Sequence, residues 1–483
     1  MSDAAGTPER GALRPCIALA ILVLVAAPAS AQINGHVSVI VDALPDVGDE
    51  PGRQSVVESR VRLFAERRAE LGPHLRLNIA GYVDGLLADR GAITGNPAEA
   101  GLNPAKAGLY SDAIVRPADL YIDLVTPHFD VRAGAARLVW GRLDEFQPTD
   151  VVNPIDLSRF LMEGRSEARL PVGLVRARMF LPRSTTIEAV LVPHFRRSRF
   201  DQLDEPTSPF NLADPTRSAP RSGIPEGTPY AANGIPEGTP YVQRVRNEPR
   251  GIESFQGGMR VTATTARVDW SVSAYRGRRA FPISTLVGAD LSTFAKATVD
   301  EQVGPSPIIR ESFPRFTMLG GDFETVRGLW GVRGEVAAFV DDELQSTRLV
   351  RGVPGRSITA GIGIDRKAGD YRIAANALWA WSGIDDADPA AQLSAVEDEV
   401  ERTDTSFVIA ADRSFARETR TLRVFAVYDP AEATAFTRVI GAVSLRDNVW
   451  LEGSGGVFTG ASLDVIGRLT RRDFLYARLK VFF

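Results

Sequence analysis

With 483 residues, 44% apolar and 24% charged, the chain has the composition of an ordinary soluble protein, which argues against a bundle of apolar membrane helices. It does not argue against a membrane barrel, whose strands are only half apolar, and a single large barrel would spare a chain of this length the usual division into several domains. A formal net charge of −4 with no long Lys/Arg block gives no reason to expect a nucleic-acid partner.

Arg10 and Arg14 precede an apolar run over 17–27, and Ala29-Ser30-Ala31 supplies a small-x-small site. The pattern predicts a secretory signal peptide over 1–31, cleaved after Ala31; the run is too short for an anchor helix. The only cysteine, Cys16, falls inside it, so no disulfide or thiol chemistry is expected after it. Beyond Ala31 no stretch reaches the roughly 18 apolar residues of a membrane helix. Such an exported chain stays in the periplasm, is secreted, or folds into the outer membrane.

A period of two recurs from there to the end. Val37, Val39 and Val41 alternate with His36, Ser38 and Ile40, and Val57, Val61 and Leu63 with Arg60, Arg62 and Phe64. Leu75, Leu77, Ile79 and Val83 alternate with Arg76, Asn78, Tyr82 and Asp84, and Leu120, Ile122 and Leu124 with Asp119, Tyr121 and Asp123. Tyr371, Ile373, Ala375, Ala377, Trp379 and Trp381 share a face with aromatic residues at both ends, as at a membrane girdle. In the last stretch Leu475, Ala477, Leu479, Val481 and Phe483 share one face. A soluble edge strand with that face would invite aggregation, so it is expected to face lipid. Runs of about 9–11 residues suit tilted strands crossing a bilayer.

The connections alternate as well. Short ones are expected near 67–73, 126–128, 181–184, 264–266, 326–329, 367–369, 415–419 and 446–448. Long polar ones are expected over 89–115, 142–171, 196–254, 277–314, 341–356 and 382–404. Short turns on one side and long loops on the other is the asymmetry of outer-membrane barrels. The predicted fold is all-β: a transmembrane antiparallel β-barrel of about eighteen strands over 32–483, with both ends on the short-turn side and no room for a plug domain ahead of it. Within 196–254 the octapeptide at 223–230 recurs at 234–241, read as a duplication in an external loop that tolerates insertion.

Two residue sets are candidates for function. Arg60, Arg62, Arg76, Arg132, Arg176 and Arg178 fall on the inward parity and are expected to line the pore, with acidic partners such as Asp84, Asp123 and Glu188 close at hand. Lumen charge is balanced overall, so Arg60, Arg62 and Arg76 would give at most a mild preference for anions. In the loop after Trp140-Gly141, Arg142, Asp150, Asn153, Asp156 and Arg159 are candidates for a constriction folded into the pore, Asn153-Pro154 and Asp156 fixing turns by Asx-type hydrogen bonds. The alternative is an external loop held by the same turn chemistry. Four histidines without metal-ligand spacing, and no Gly-x-Ser-x-Gly elbow, point to no catalytic site and no cofactor.

Gly-x-x-Arg and Trp-Gly followed by an Asp-x-x-Asn-Pro-x-Asp loop, with the Asp-Phe-Leu-Tyr tract at 473–476, resemble a group of proteobacterial porin-like proteins related to the eighteen-stranded alginate-export porins. The resemblance covers about 55–180 and the last 20 residues. It implies passive passage of a small or polymeric solute, with outer-membrane lipid and the barrel-assembly machinery as partners. It does not imply alginate, because no polyuronate-binding set can be matched. A closed structural or adhesive barrel, or an outer-membrane hydrolase, are the alternatives.

Overall fold

The computed structural model describes residues 33–44, 56–89, 109–156, 168–199, 243–287, 308–346, 351–385, 400, 402–460, 466–470 and 472–483. The predicted signal peptide, the duplicated octapeptide and Arg159 lie outside them.

The first half of the barrel wall is β1 (Ile33–Leu44), β2 (Val56–Glu70), β3 (Leu75–Asp89), β4 (Leu109–Val125), β5 (Phe129–Ala136), β6 (Val172–Leu181), β7 (Thr185–Val192), β9 (Gln256–Thr264) and β10 (Val268–Arg278). The second half is β13 (Arg315–Arg327), β14 (Trp330–Ser346), β15 (Arg351–Ala368), β16 (Tyr371–Ile384), β17 (Arg402–Phe415), β18 (Arg420–Asp429), β19 (Thr434–Arg446), β20 (Val449–Thr459) and β21 (Phe474–Phe482). Each pairs antiparallel with the next, and β1 closes the ring against β21 with His36 opposite Phe482 and Val41 opposite Ala477, giving a single sheet of 18 strands. Gly35 and Phe483 exchange two backbone hydrogen bonds of 3.1 and 3.0 Å at the seam. Closure leaves no unpaired edge, which is what lets strands sit in hydrocarbon.

The outward rows are apolar. Val37, Val39, Val41, Val61, Leu63, Val83, Leu120 and Ile122 are exposed, as are Tyr371, Ile373 and Trp379 of the predicted girdle strand. A continuous apolar surface is an aggregation hazard in water and the lipid-facing belt of a transmembrane barrel. The eight short connections lie on one rim where the alternation predicts them. One of them, 416–418, holds three consecutive non-glycine residues at φ of 49, 59 and 68°.

The long-loop rim departs from expectation in four places, one being β4, which starts at Leu109 inside the connection expected over 89–115. The segment 341–356, expected to be a loop, is mostly strand: β14 runs to Ser346 and β15 starts at Arg351, with a bulge between Phe339 and Asp342 where Asp341 takes φ 51°. This hairpin rises beyond the belt and carries its own apolar cluster of Leu344, Val353, Ile384 and Val400, so its polar residues mimic a loop. The segments read as open loops over 196–254 and 277–314 hold three five-residue strands, too short to show a period. These are β8 (Gln243–Asn247), β11 (Ile283–Val287) and β12 (Ile308–Ser312), and they form a second sheet in which Arg246 Nε donates to the buried Glu311 at 2.7 Å. Finally, β5 ends at Ala136, ahead of the Trp140-Gly141 pair expected on it, and the chain turns into the lumen.

Candidate functional site: a segment across the lumen

What pulls the chain off the wall is side-chain chemistry that replaces the strand ladder. Asp119 of β4 accepts from the Arg137 backbone N–H at 3.2 Å and from its guanidinium at 2.6 Å. Asn153 accepts from Leu138 N at 2.7 Å and donates to Leu170 O at 2.8 Å and Ala136 O at 3.3 Å, bracketing both ends of the excursion. Asp150 accepts from Trp140 N at 3.3 Å and from Arg169 at 2.8 Å. Asp156 sits on Arg116 at 3.3 Å, and Ile155 N donates to Ser198 Oγ at 2.9 Å. Backbone donors that leave a sheet need such partners when buried.

Trp140 is then driven into the barrel interior, 0% exposed, where its indole N–H donates to Glu188 at 2.7 Å and its ring meets Tyr275 edge-on at 5.9 Å. Leu138, Val152, Val172, Leu174, Val190, Phe316 and Met318 complete that cluster. At Gly141 φ is +92°, and a Cβ would lie 2.4 Å from a Glu335 carboxylate oxygen, so only glycine lets the chain pass.

Glu335 on β14 is the hub. Its carboxylate accepts from Arg142 N at 2.9 Å, Leu143 N at 3.3 Å, and Thr149 N and Oγ1 at 2.7 Å each. Arg142 reaches Asp322 at 2.6 Å and Glu324 at 3.2 Å on β13. Leu143 lies against β15, where Cβ atoms on Gly361 and Gly363 would meet it at 2.5 and 3.1 Å. Asp144 accepts from Arg333 of β14 at 3.0 Å and Arg372 of β16 at 3.3 Å. Glu145 accepts from Arg423 of β18, and Phe146 packs on the cluster of Ile40, Val408, Phe425, Phe436, Phe458, Phe474 and Tyr476. A segment that leaves at the fifth strand of the ring is therefore fastened to strands ten to fifteen, across the diameter.

The predicted pore-lining arginines all lie on the inward parity, but they differ in what they present to water. Arg62 is 3% exposed and donates to both oxygens of Asp84 at 2.7 and 3.1 Å. Arg132 is bidentate to Asp123 at 2.7 and 2.8 Å and stacks over Tyr121 at 3.7 Å. Arg176 and Arg178 share Asp130, at 3.2 and 2.5 Å. Arg60 is half-buried. Arg76 alone of the set is open, its side chain 59% exposed and 3.8 Å from Glu70. Of the loop candidates, Arg142, Asp150, Asn153 and Asp156 are brought together; Arg159 lies outside the described residues.

Sequence reasoning missed Glu335, Arg333, Arg372, Arg423 and the Leu143 notch. A signal existed: Asp322, Glu324, Gly361 and Gly363 sit on the inward parity, and inward glycines announce a close approach. Among the described residues no group of three or more His, Cys, Asp or Glu side chains could hold a metal ion. His74 is on a turn, its Nδ1 3.0 Å from Val125 O.

These features define a closed eighteen-stranded transmembrane barrel with a stretch of its own chain secured across the lumen. A family profile described as "Protein of unknown function (DUF1302)" matches residues 114–366, just over half of the sequence, and the chain belongs to that family. No curated protein matches it. Among solved structures it is similar to Acinetobacter baumannii OccAB3, at 7% identity over 94% of this chain and 100% of that one, with a TM-score of 0.46. It is also similar to Pseudomonas aeruginosa OccK7, at 10% identity over 94% and 99% with a TM-score of 0.45. A BenF-like porin from Pseudomonas fluorescens Pf-5 shares 7% identity over 94% and 98% with a TM-score of 0.46. No residue role or cargo is carried over from them.

Proposed function

We propose that this protein is an outer-membrane channel for passive passage of small hydrophilic solutes, narrowed by residues 137–156. The observation that carries the reading is the crossing segment itself: a barrel of this circumference leaves an aqueous lumen unless something fills it, and here one segment crosses it, held by ionic and hydrogen-bonded contacts. The reading makes the protein a conduit and not an enzyme. Selectivity by charge is weak, because Arg62 and Arg132 each meet a carboxylate of the neighbouring strand and Arg176 and Arg178 share Asp130. The mild anion preference then rests on Arg76 at the short-turn mouth.

Purified protein in a planar bilayer is expected to conduct ions in discrete steps of low conductance. A complete absence of steps with protein demonstrably inserted would overturn the channel reading. It would favour a closed scaffold, for which the apolar clusters around Trp140 and Phe146 inside the barrel speak.

A further inference from the structure

On the outside of the wall, β10 and β13 carry Arg276, Arg278 and Arg315 near their long-loop ends. The register sets Arg278 opposite Arg315 and Arg276 opposite Thr317, so the three guanidinium groups share one patch. Toward the short-turn rim the same outward rows become apolar: Val272 on β10, Leu319 and Phe323 on β13, and Met259 on β9 are exposed. The arginines thus stand at the upper edge of the lipid-facing belt, at the depth of lipid headgroups.

Arg276 donates to Thr317 Oγ1 at 2.5 Å and to Asp341 at 3.2 Å, whereas the other two spend most of their bonds on backbone carbonyls, which satisfy donors without neutralising charge. Arg278 donates to Glu253 O at 2.8 Å and Phe313 O at 2.7 Å. Arg315 donates to Phe255 O at 3.2 Å and Glu253 O at 2.9 Å. The carboxylates at hand are Glu253, 4.0 Å from Arg278, and Asp341, 3.2 Å from Arg276, and both are more than 70% exposed and screened by water. The carbonyl bonds also hold a short 3-10 turn, Gly251–Ser254, on the wall, which presents Ile252 at 84% exposure beside Phe255. A bare isoleucine next to arginines whose carboxylate partners are screened by water is costly in water and suited to a boundary between acyl chains and phosphates.

We propose that this patch binds a phosphate of the outer-leaflet glycolipid, lipopolysaccharide, with its acyl chains lying along Met259, Val272 and Leu319. The inference rests on the membrane location proposed above and is independent of conduction. The test uses the full barrel, folded in detergent and checked for heat-modifiable mobility. It is titrated with bisphosphorylated lipid A and with the same lipid stripped of phosphate. The wild type should prefer the phosphorylated form, and R276Q/R278Q/R315Q should bind it at least roughly ten-fold more weakly. R276Q alone, which touches no carbonyl of the turn, should show a smaller loss in the same direction. Equal binding by the triple variant, equal binding of the stripped lipid, or a dimer of the chain that excludes lipid from the patch would overturn the proposal. A barrel that never enters bilayers would instead sink the membrane location itself.

Discussion

Two stretches of the inner wall use the same residue types to different ends. On β2–β6 four inward arginines meet a carboxylate of the adjacent strand: Arg62 with Asp84, Arg132 with Asp123, Arg176 and Arg178 with Asp130. On β13–β18 the inward charges also reach away from the wall: Asp322, Glu324 and Glu335 take Arg142 and its neighbours, while Arg333, Arg372 and Arg423 take Asp144 and Glu145. The first stretch pairs these arginines within the wall and gives the segment only Arg116 and Asp119 of β4; the second keeps wall pairs such as Arg260 with Asp322 and Arg333 with Asp365, but commits many more of its inward charges to the segment 137–156. Inward charge alone therefore does not define a pore lining. What matters is whether its partner lies in the wall or across the lumen.

The sharpest way to break that contrast is at Glu335. Glu335→Ala removes the acceptor of four donors, three of them backbone N–H groups, and should cost roughly 3 kcal/mol of stability while freeing the segment. Thermal unfolding in detergent and single-channel conductance check the two effects, which should appear together. Trp140→Ala should cost a similar roughly 3–5 kcal/mol by emptying the near cluster. Because Asn153 and Asp150 remain, its effect on conductance should be smaller than that of Glu335→Ala. At a pair held wholly in the wall, Arg62→Gln strands Asp84 in a buried site and should lower stability by about 3 kcal/mol, yet leave conductance nearly unchanged. A conductance change there as large as at Glu335 would erase the distinction. The smallest effect belongs to the open charge: Arg76→Glu should shift the reversal potential slightly toward cations in a salt gradient, and less so as ionic strength rises, with no loss of stability.

Much of the wall was legible in the sequence because lipid dictates every second residue: the rows through Val37, Leu63, Leu120 and Tyr371 declare their outward face one side chain at a time. The rim was less legible. The hairpin at 341–356 is built of polar residues above the belt, where period two has no apolar member to mark it, and the five-residue strands β8, β11 and β12 are set by tertiary pairing. Of the crossing segment, Arg142, Asp150, Asn153 and Asp156 stood out in the sequence, but in place of local Asx turns Asn153 bonds Leu138 and Leu170 and Asp156 meets Arg116, partners that only the fold brings close. Glu335 was not readable, since it lies 193 positions from Arg142 and only closure of the barrel brings the two together.

In the proposed channel, residues 137–156 narrow an otherwise open lumen and are held there by the far wall. The most direct measurement compares single-channel conductance of the wild type with that of Arg142→Ala combined with Glu335→Ala, both inserted in the same bilayer and both shown to be folded barrels. Small steps are expected for the wild type and steps several-fold larger for the double variant. Equal steps from the two proteins would contradict that expectation, because the segment would then be an ornament of the wall and not the constriction.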